Sequence, residues 1–445
     1  MHLALARRIS TLAWPVLVAQ VAYMGVAAAD TVFVGHYSTT HLAALAIANA
    51  IQITVVVALV GVLQAVGPVV AHHFGAGREQ EIAAAWHQGA WLALALSALG
   101  FLILRHSAVW VAWSGPSPEV AQLADAYLRI AAFAVPAHLL YRTFYAFSTA
   151  LGNSRALMVI TTLGSLLNLP LSYGLIFGKL GLPPLGALGA AYAYLAVAWA
   201  SLAAALATLA AGRFYRKYRV FARWPRPRWP AQRELLRVGL PMGLSNLIEI
   251  SSFTFIALFI APLGAEVQAG HRIVANVVGI AFMAALALGL ATSALVGQAL
   301  GAREPGRARA TATTGLALAA LLATALGLAV TLGARPLVAA YSDDLAVRAV
   351  ALSLIGYAAV FHFFDATQTL ASFALRGYKV TMGPMLVHAL CFWGIGLGGG
   401  YWLAFRAAAP MGAAGFWLAS TASLMVAALL VGAYLALVAR AVRQL

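Results

Sequence analysis

The stretch RVGLPMGLSNLIEISSFTFIALFIA, residues 237–261, decides how this chain is read. Past Arg237 it holds one charged side chain, Glu249, inside a run long enough to cross a hydrocarbon core of about 30 Å as a helix. A carboxylate at that depth costs about 2.5–3.5 kcal/mol on insertion scales, so it calls for a bound cation, a proton relay or a cationic substrate. A carboxylate merely paired with a neighbouring base is the plainer reading. Two more acids share this setting. Asp30 follows Ala27-Ala28-Ala29 and precedes Thr31-Val32-Phe33-Val34, and Asp365 lies in Phe361-His362-Phe363-Phe364-Asp365-Ala366-Thr367-Gln368. At helical spacing Ser245, Glu249 and Ser252 share one face, and Phe361, Phe364 and Gln368 share that of Asp365. A carboxylate beside aromatic faces and an amide is a seat for a cation, through charge, oxygen ligation and the ring quadrupole.

The rest of the chain is of the same kind. It is 63% hydrophobic and 9% charged over 445 residues, with a mean hydropathy of +0.89, whereas a soluble domain carries about 25% charged residues. Twelve apolar runs recur, at roughly 10–34, 42–70, 84–104, 120–142, 156–178, 187–211, 237–261, 267–296, 310–332, 347–372, 382–405 and 412–438. The expected fold is an all-α membrane protein with twelve transmembrane helices. The net charge of +16 does not require a nucleic acid. With both termini placed inside, the inner loops and ends carry 20 Lys and Arg, including Arg376, Arg443 and nine between Arg213 and Arg237, against five outside. The positive-inside rule accounts for that bias, and the lipid bilayer is the partner it implies. One cysteine, Cys391, excludes an intramolecular disulfide and a CxxC site. Arg7-Arg8 followed by an apolar run imitates a cleavable signal, but the run continues through Thr31-Val32-Phe33-Val34 and is read as a helix that stays.

An internal repeat at an offset near 226 organises the chain. Pro15 matches Pro241, Ala48-Asn49 matches Ala275-Asn276, and Gly75-Ala76 and Gly89 match Gly301-Ala302 and Gly315. Ala150–Arg155 falls opposite Ala374–Lys379, and Pro184-Leu185-Gly186-Ala187 opposite Pro410-Met411-Gly412-Ala413. Six spans per half give both halves one orientation, related by an axis along the membrane normal. The expected organisation is a first six-helix lobe over 1–212, a basic cytoplasmic linker over 213–236 and a second lobe over 237–445, with sites facing a cleft between the lobes. Pro15, Pro68, Pro136, Pro170, Pro241 and Pro384 are candidate hinges. Gly394 and Gly398 form a GxxxG expected to mark close helix packing.

No phosphate loop, HExxH or GxSxG is present, so the chain is read as no enzyme, with no cofactor and with its energy drawn from an ion gradient. His271, His362 and His388 are read as packing residues first and proton carriers second. Arg272, a fixed charge early in a span, either snorkels or pairs with an acid.

Leu12-Ala13-Trp14-Pro15, Ala29-Asp30-Thr31-Val32-Phe33-Val34-Gly35 and Leu42-Ala43-Ala44 resemble the opening of the multidrug and toxic compound extrusion (MATE) family, of the NorM type. The resemblance continues through Pro136-Ala137, Ala150-Leu151-Gly152-Asn153 and Leu167-Asn168-Leu169-Pro170-Leu171. In the second half it runs through Gly239-Leu240-Pro241, Glu249, Ala261-Pro262-Leu263-Gly264, Gly270-His271-Arg272, Phe364-Asp365-Ala366, Leu375–Lys379 and Gly412–Trp417. It implies two pseudo-symmetric six-helix lobes forming a V, and export of cationic or amphipathic drugs and dyes in exchange for Na+ or H+. It also implies a cation site at Glu249 and Asp365, with Na+ as the candidate ion, and a first-lobe coupling acid at Asp30 with Asn168 beside it. Substrate-cleft candidates are Phe361, Phe364, Gln368, Ser245, Ser252 and Arg272. Phe361 stands where NorM-type members often have tyrosine, Arg272 where the family usually shows glutamine, and Ser172 where proton-coupled relatives have a second aspartate.

The implied setting is a bacterial inner membrane, with the chain a monomer and both termini cytoplasmic. A flippase for a lipid-linked saccharide would line its cleft with Arg and Lys, whereas the acids dominate here. A channel or receptor is disfavoured by the repeat and the dispersed acids. The charge bias predicts that single cysteines replacing Ser117 or Asp343, in a Cys391→Ala background, react with an impermeant thiol reagent added outside intact cells. Reaction from the cytoplasmic side alone would reverse the topology.

Overall fold

The computed structural model describes residues 1–179, 181–222 and 224–442. Arg223 and Arg443, both counted above with the inner charges, lie outside the described residues. Among the described residues the fold is helical throughout, without strands. Eleven helices are long and apolar enough to cross a membrane, and a bent pair makes twelve if counted as one span.

In chain order the spans are α1 (His2–Tyr37), α2 (Thr39–Gly75), α3 (Glu79–Arg105), the bent α4 (Pro118–Ala132 and Val135–Ala150), α5 (Ser154–Phe177) and α6 (Ala187–Ala211). The second set is α7 (Trp229–Leu263), α8 (Ala265–Gly301), α9 (Pro305–Leu332), α10 (Leu345–Gly377), α11 (Met382–Phe405) and α12 (Ala413–Ala441). Leu163, Leu321 and Leu429 are 60%, 70% and 64% exposed, as side chains that meet lipid rather than water must be. Of the proline hinge candidates, Pro136 sits at the 52° bend of α4 and Pro68 opens the last helical segment of α2. Pro15, Pro170 and Pro241 lie inside uninterrupted helices.

The repeat is written in the backbone of each half. Gly186 (φ 54°, ψ −131°) and Gly412 (φ 55°, ψ −133°) precede α6 and α12 with the same unusual geometry. Gly77 and Arg303 share positive φ after α2 and α8, as do Gly152 and Lys379 after α4 and α10, so Gly152 corresponds to Lys379 and not, as the motif alignment of Ala150–Arg155 with Ala374–Lys379 has it, to Arg376. A Cβ at Gly189 would lie 2.6 Å from the Leu175 backbone, and one at Gly415 2.9 Å from that of Ala404. Each pair of helices, α5 with α6 and α11 with α12, therefore touches backbone to backbone at corresponding points. Gly89 faces Val66 and Thr143 just as Gly315 faces Thr292 and Leu370.

Two compact units result, and they do not divide at the connector. One comprises Val18–Gly243; the other comprises Met1–Leu17 together with the chain from Leu244 onward. The first turns of α1, expected with the first half, are tied to the second-half unit by His2 with Thr314 (2.7 Å) and by Arg8 donating to Gln298 (3.2 Å). The first turns of α7 lie in the first-half unit, where Gly239 and Gly243 admit the backbone of α2 at Val62 and Ala58. The connector is a built strap. Gln88, Trp91 and His87 on α3 bond the carbonyls of Arg226 (3.1 Å), Pro225 (2.9 Å) and Val220 (2.6 Å). Tyr215 is buried against Phe144 and Phe147 and bonds Ser148 and Asn153. Trp224 and Trp229 remain exposed, as headgroup-level tryptophans should.

In α11 the GxxxG reading needs correction. Residues Ala389–Gly399 wind as a π-helix, and the wider turn rotates the glycine faces. Gly396 and Gly400 meet Ser423 and Phe416 of α12, whereas Gly394 and Gly398 meet only atoms of their own helix. The Ser252 and Ser423 hydroxyls donate to the carbonyls of Phe392 (3.0 Å) and Cys391 (2.7 Å).

Gly189→Ala and Gly415→Ala are each expected to destabilise the purified protein by about 1–3 kcal/mol, because backbone must move to admit the methyl group. Gly279→Ala, whose Cβ meets nothing within 4 Å, serves as the control. Thermal melting in one detergent compares the three; equal melting temperatures would refute the close-contact reading.

Candidate functional site

In the second-half unit, α7 carries Asn246 and Glu249, and α10 carries Phe361, Asp365, Gln368 and Arg376. Glu249 is half-buried and Asp365 only 4% exposed. The two are near enough for the charge of Glu249 to act on Asp365, and Arg376 acts on Glu249 in turn. The fold thus brings both acids, which composition alone could not show to meet, into one electrostatic cluster. The sequence misassigned Arg376, which was counted as a loop charge. Arg376 is 7% exposed inside α10, donates to Asn246 (3.3 Å) and lies 4.0 Å from the centre of the Phe373 ring. Its position one residue before Gly377, at the helix end, hid that role from the sequence.

Gln368 donates its amide nitrogen to Asp365 (3.3 Å) and to Thr369 (3.0 Å). Its amide oxygen is left buried without a hydrogen-bond partner. The amide that carries this oxygen meets the Asp365 carboxylate through its nitrogen, so an unspent oxygen and a carboxylate, both of the kind that ligates a hard cation, belong to neighbouring side chains of α10. Among the described residues no group of three His, Cys, Asp or Glu side chains could hold a metal ion. A cation here would depend on two carboxylates and an amide.

The other candidates fall around this centre in different ways. Phe361 is buried against Phe253 (6.1 Å) and Trp417 (5.4 Å), in the apolar core of the unit. Phe364 is half-buried beside Phe363 (5.3 Å). Ser245 is buried, and the Ser252 hydroxyl is engaged by α11 as described above. Arg272 is exposed and forms no ion pair among the described residues; Arg376 is the base that reaches Glu249. His271 accepts from Trp417 (3.2 Å) and His388 pairs with Ser372 (3.2 Å), as packing histidines do. His362 is buried with its Nδ1 unpartnered.

In the first-half unit the Asn168 amide donates to both oxygens of Asp30 (3.3 and 3.4 Å) and to Ser172 (3.0 Å). The expected Asp30–Asn168 pairing is therefore formed, between helices α1 and α5. Ser172 supplies a hydroxyl at the position where a second acid would stand. Tyr127 lies within the field of Asp30 and donates to Asn49 (3.4 Å).

The MatE family model matches residues 15–174 and 241–402, most of both halves. The chain belongs to the MATE family. A protein of Aromatoleum aromaticum described as "Probable multidrug resistance protein NorM" is 50% identical over 439 residues, covering 98% of this chain and 95% of that one. A protein of the same description from Neisseria meningitidis serogroup B is 36% identical over 95% of this chain and 92% of its own length. Among solved structures, the eukaryotic MATE transporter AtDTX14 superposes with a TM-score of 0.88 at 21% identity, over 100% of this chain and 99% of that one. A multidrug resistance MATE transporter in an outward-facing conformation gives 0.89 at 19% identity, over 98% and 96%. MATE proteins are membrane transporters, so this chain is a transporter and not an enzyme. Its twelve-span, two-lobe architecture is the MATE fold.

Proposed function

We propose that this MATE protein is a secondary antiporter of the bacterial inner membrane that exports lipophilic organic cations in exchange for a cation bound at Glu249 and Asp365. The charge-linked cluster of Glu249, Asp365 and Arg376 inside membrane-spanning helices carries the reading. Relatives named as multidrug resistance proteins support export, and the low-dielectric surroundings of the acids favour cations over anions.

Sodium is the ion the side chains favour. Asp365 and Glu249 supply carboxylate oxygens, and the unpartnered Gln368 oxygen replaces the hydroxyl that Phe361 lacks. Arg376 holds Asn246 and offers Glu249 a resident positive charge when no ion is bound. Ion and guanidinium then alternate as partners of the same acid. In the first half, Asp30 takes part in coupling with Asn168 as its positioning residue. The protein works as a monomer with both termini cytoplasmic.

Reconstituted vesicles with an imposed sodium or pH gradient test this with an ethidium-like dye. Glu249→Gln and Asp365→Asn should each abolish gradient-driven efflux with expression unchanged, and Gln368→Leu should weaken the sodium dependence several-fold. Asp30→Asn should impair efflux as well. Efflux that follows pH and ignores sodium would replace sodium with protons. Normal transport by Glu249→Gln would displace the site.

A further inference from the structure

The strap between α6 and α7 lies wholly within the first-half unit. Residues 213–230 hold seven basic side chains and no acidic one. Among the described residues only Lys217 of this set forms an ion pair, with Glu79 (3.7 Å), and its ammonium lies 4.8 Å from the centre of the Tyr218 ring. Arg213, Arg216, Arg219, Arg226 and Arg228 are exposed and meet no acid. The end of the strap, Trp224-Pro225-Arg226-Pro227-Arg228-Trp229-Pro230, sets two guanidinia between two indoles. Its three prolines fix their own φ at about −65° and press Trp224, Arg226 and Trp229 towards extended backbone.

One buried side chain holds both ends of Arg226-Pro227-Arg228. The amide nitrogen of Gln88, on α3, donates to the Arg226 carbonyl (3.1 Å), and its amide oxygen accepts from the Arg228 N–H (2.9 Å). Gln232, in the first turn of α7, donates to the Gln88 carbonyl (2.9 Å) and to its amide oxygen (3.0 Å). The backbone of the segment is thus tied to α3 while its side chains are left outward, Trp224 49% and Trp229 70% exposed. The clamp also sets depth. Gln88 stands nine residues past Glu79, the start of α3, or about 14 Å of helix. The strap is therefore drawn along α3 to the edge of the apolar run, at headgroup level, and away from the water where a soluble partner would meet it.

We propose that the segment Trp224–Trp229 is a seat for the headgroup phosphate of an anionic phospholipid, with Arg226 and Arg228 as its donors and the two indoles as anchors beside it. A guanidinium fork pairs with two phosphate oxygens at once. Indole rings favour the layer where one edge is wet and the other apolar. The prolines and Gln88 hold the donors in place before the lipid arrives, so little ordering opposes binding. A zwitterionic lipid binds less well, because its own ammonium group offsets the attraction that an anionic headgroup feels. The cytoplasmic orientation proposed above says only which leaflet supplies the lipid. Binding needs neither a gradient nor a drug, so it stands or falls apart from the efflux reading.

The test titrates the purified full-length chain in neutral detergent with phosphatidylglycerol and with phosphatidylcholine, and counts bound lipid by native mass spectrometry. The wild type should take its first phosphatidylglycerol several-fold more tightly than phosphatidylcholine. Arg226→Gln together with Arg228→Gln should weaken phosphatidylglycerol by roughly tenfold or more, the loss of charge-assisted hydrogen bonds. Arg303→Gln together with Arg309→Gln removes the same charge from exposed residues of the second-half unit. That pair should leave binding within about twofold, since only screened long-range attraction is lost. Gln88→Ala keeps every charge and should weaken binding several-fold by freeing the segment; the Arg226 and Arg228 pair decides alone if Gln88→Ala does not fold. A wild type without preference, equal losses in the two arginine pairs, or unchanged binding in folded Gln88→Ala would overturn the seat and leave only diffuse attraction. Displacement of phosphatidylglycerol by inorganic phosphate at equal concentration would overturn it in favour of a free-phosphate site.

Discussion

A charge inside a hydrocarbon layer must be answered by the protein, because no water is there to answer it. This constraint sets the design of both units. Asp30 on α1 is answered by Asn168 on α5, 138 residues later. Arg376 on α10 is answered by Asn246 on α7, 130 residues earlier. Such pairs exist only if the helices hold their register to within a hydrogen-bond length. The backbone contacts at Gly189 and Gly415 supply that register in the α5–α6 and α11–α12 pairs, and the Ser252 bond to the π-helix supplies it between α7 and α11.

The sequence made the scaffold legible for a simple reason. Hydrocarbon thickness and helical rise dictate runs of about 20 apolar residues, and these stand out in any chain. The acids were legible for the same reason, since Asp30, Glu249 and Asp365 are conspicuous against Leu, Ile and Phe. The repeat was legible through glycines and prolines, whose positions record backbone geometry: Gly186 and Gly412 share their φ and ψ to within a few degrees. Family membership followed from the order of those motifs.

What stayed hidden was partnership. Arg376 beside a terminal glycine reads as a loop charge, and only the fold brings it against Asn246 and Phe373. Arg142 reads as a span end, because the apolar run fades there, although the helix continues to Ala150. The division of α1 and α7 between units was equally invisible, since both are continuous apolar helices and nothing local marks Leu17 or Gly243 as a boundary. In α11 the packing glycines are Gly396 and Gly400, which have the same spacing of four as Gly394 and Gly398, so spacing could not choose between the two overlapping pairs and only the winding of the π-helix does.

The two halves together separate scaffold from chemistry. Equivalent helices pack at equivalent glycines, so the backbone of each half presents the same positions to its interior. At those positions one half carries Glu249 and Asp365, and the other carries Tyr23 and His138 with Arg142 one turn further on. A duplicated scaffold can thus carry a different set of charged groups in each half, Asp30 and Arg142 in one and Glu249, Asp365 and Arg376 in the other. Among the described residues each half keeps several buried side-chain oxygens without a hydrogen-bond partner, Tyr145 and Thr162 in one and Gln368 and Thr292 in the other.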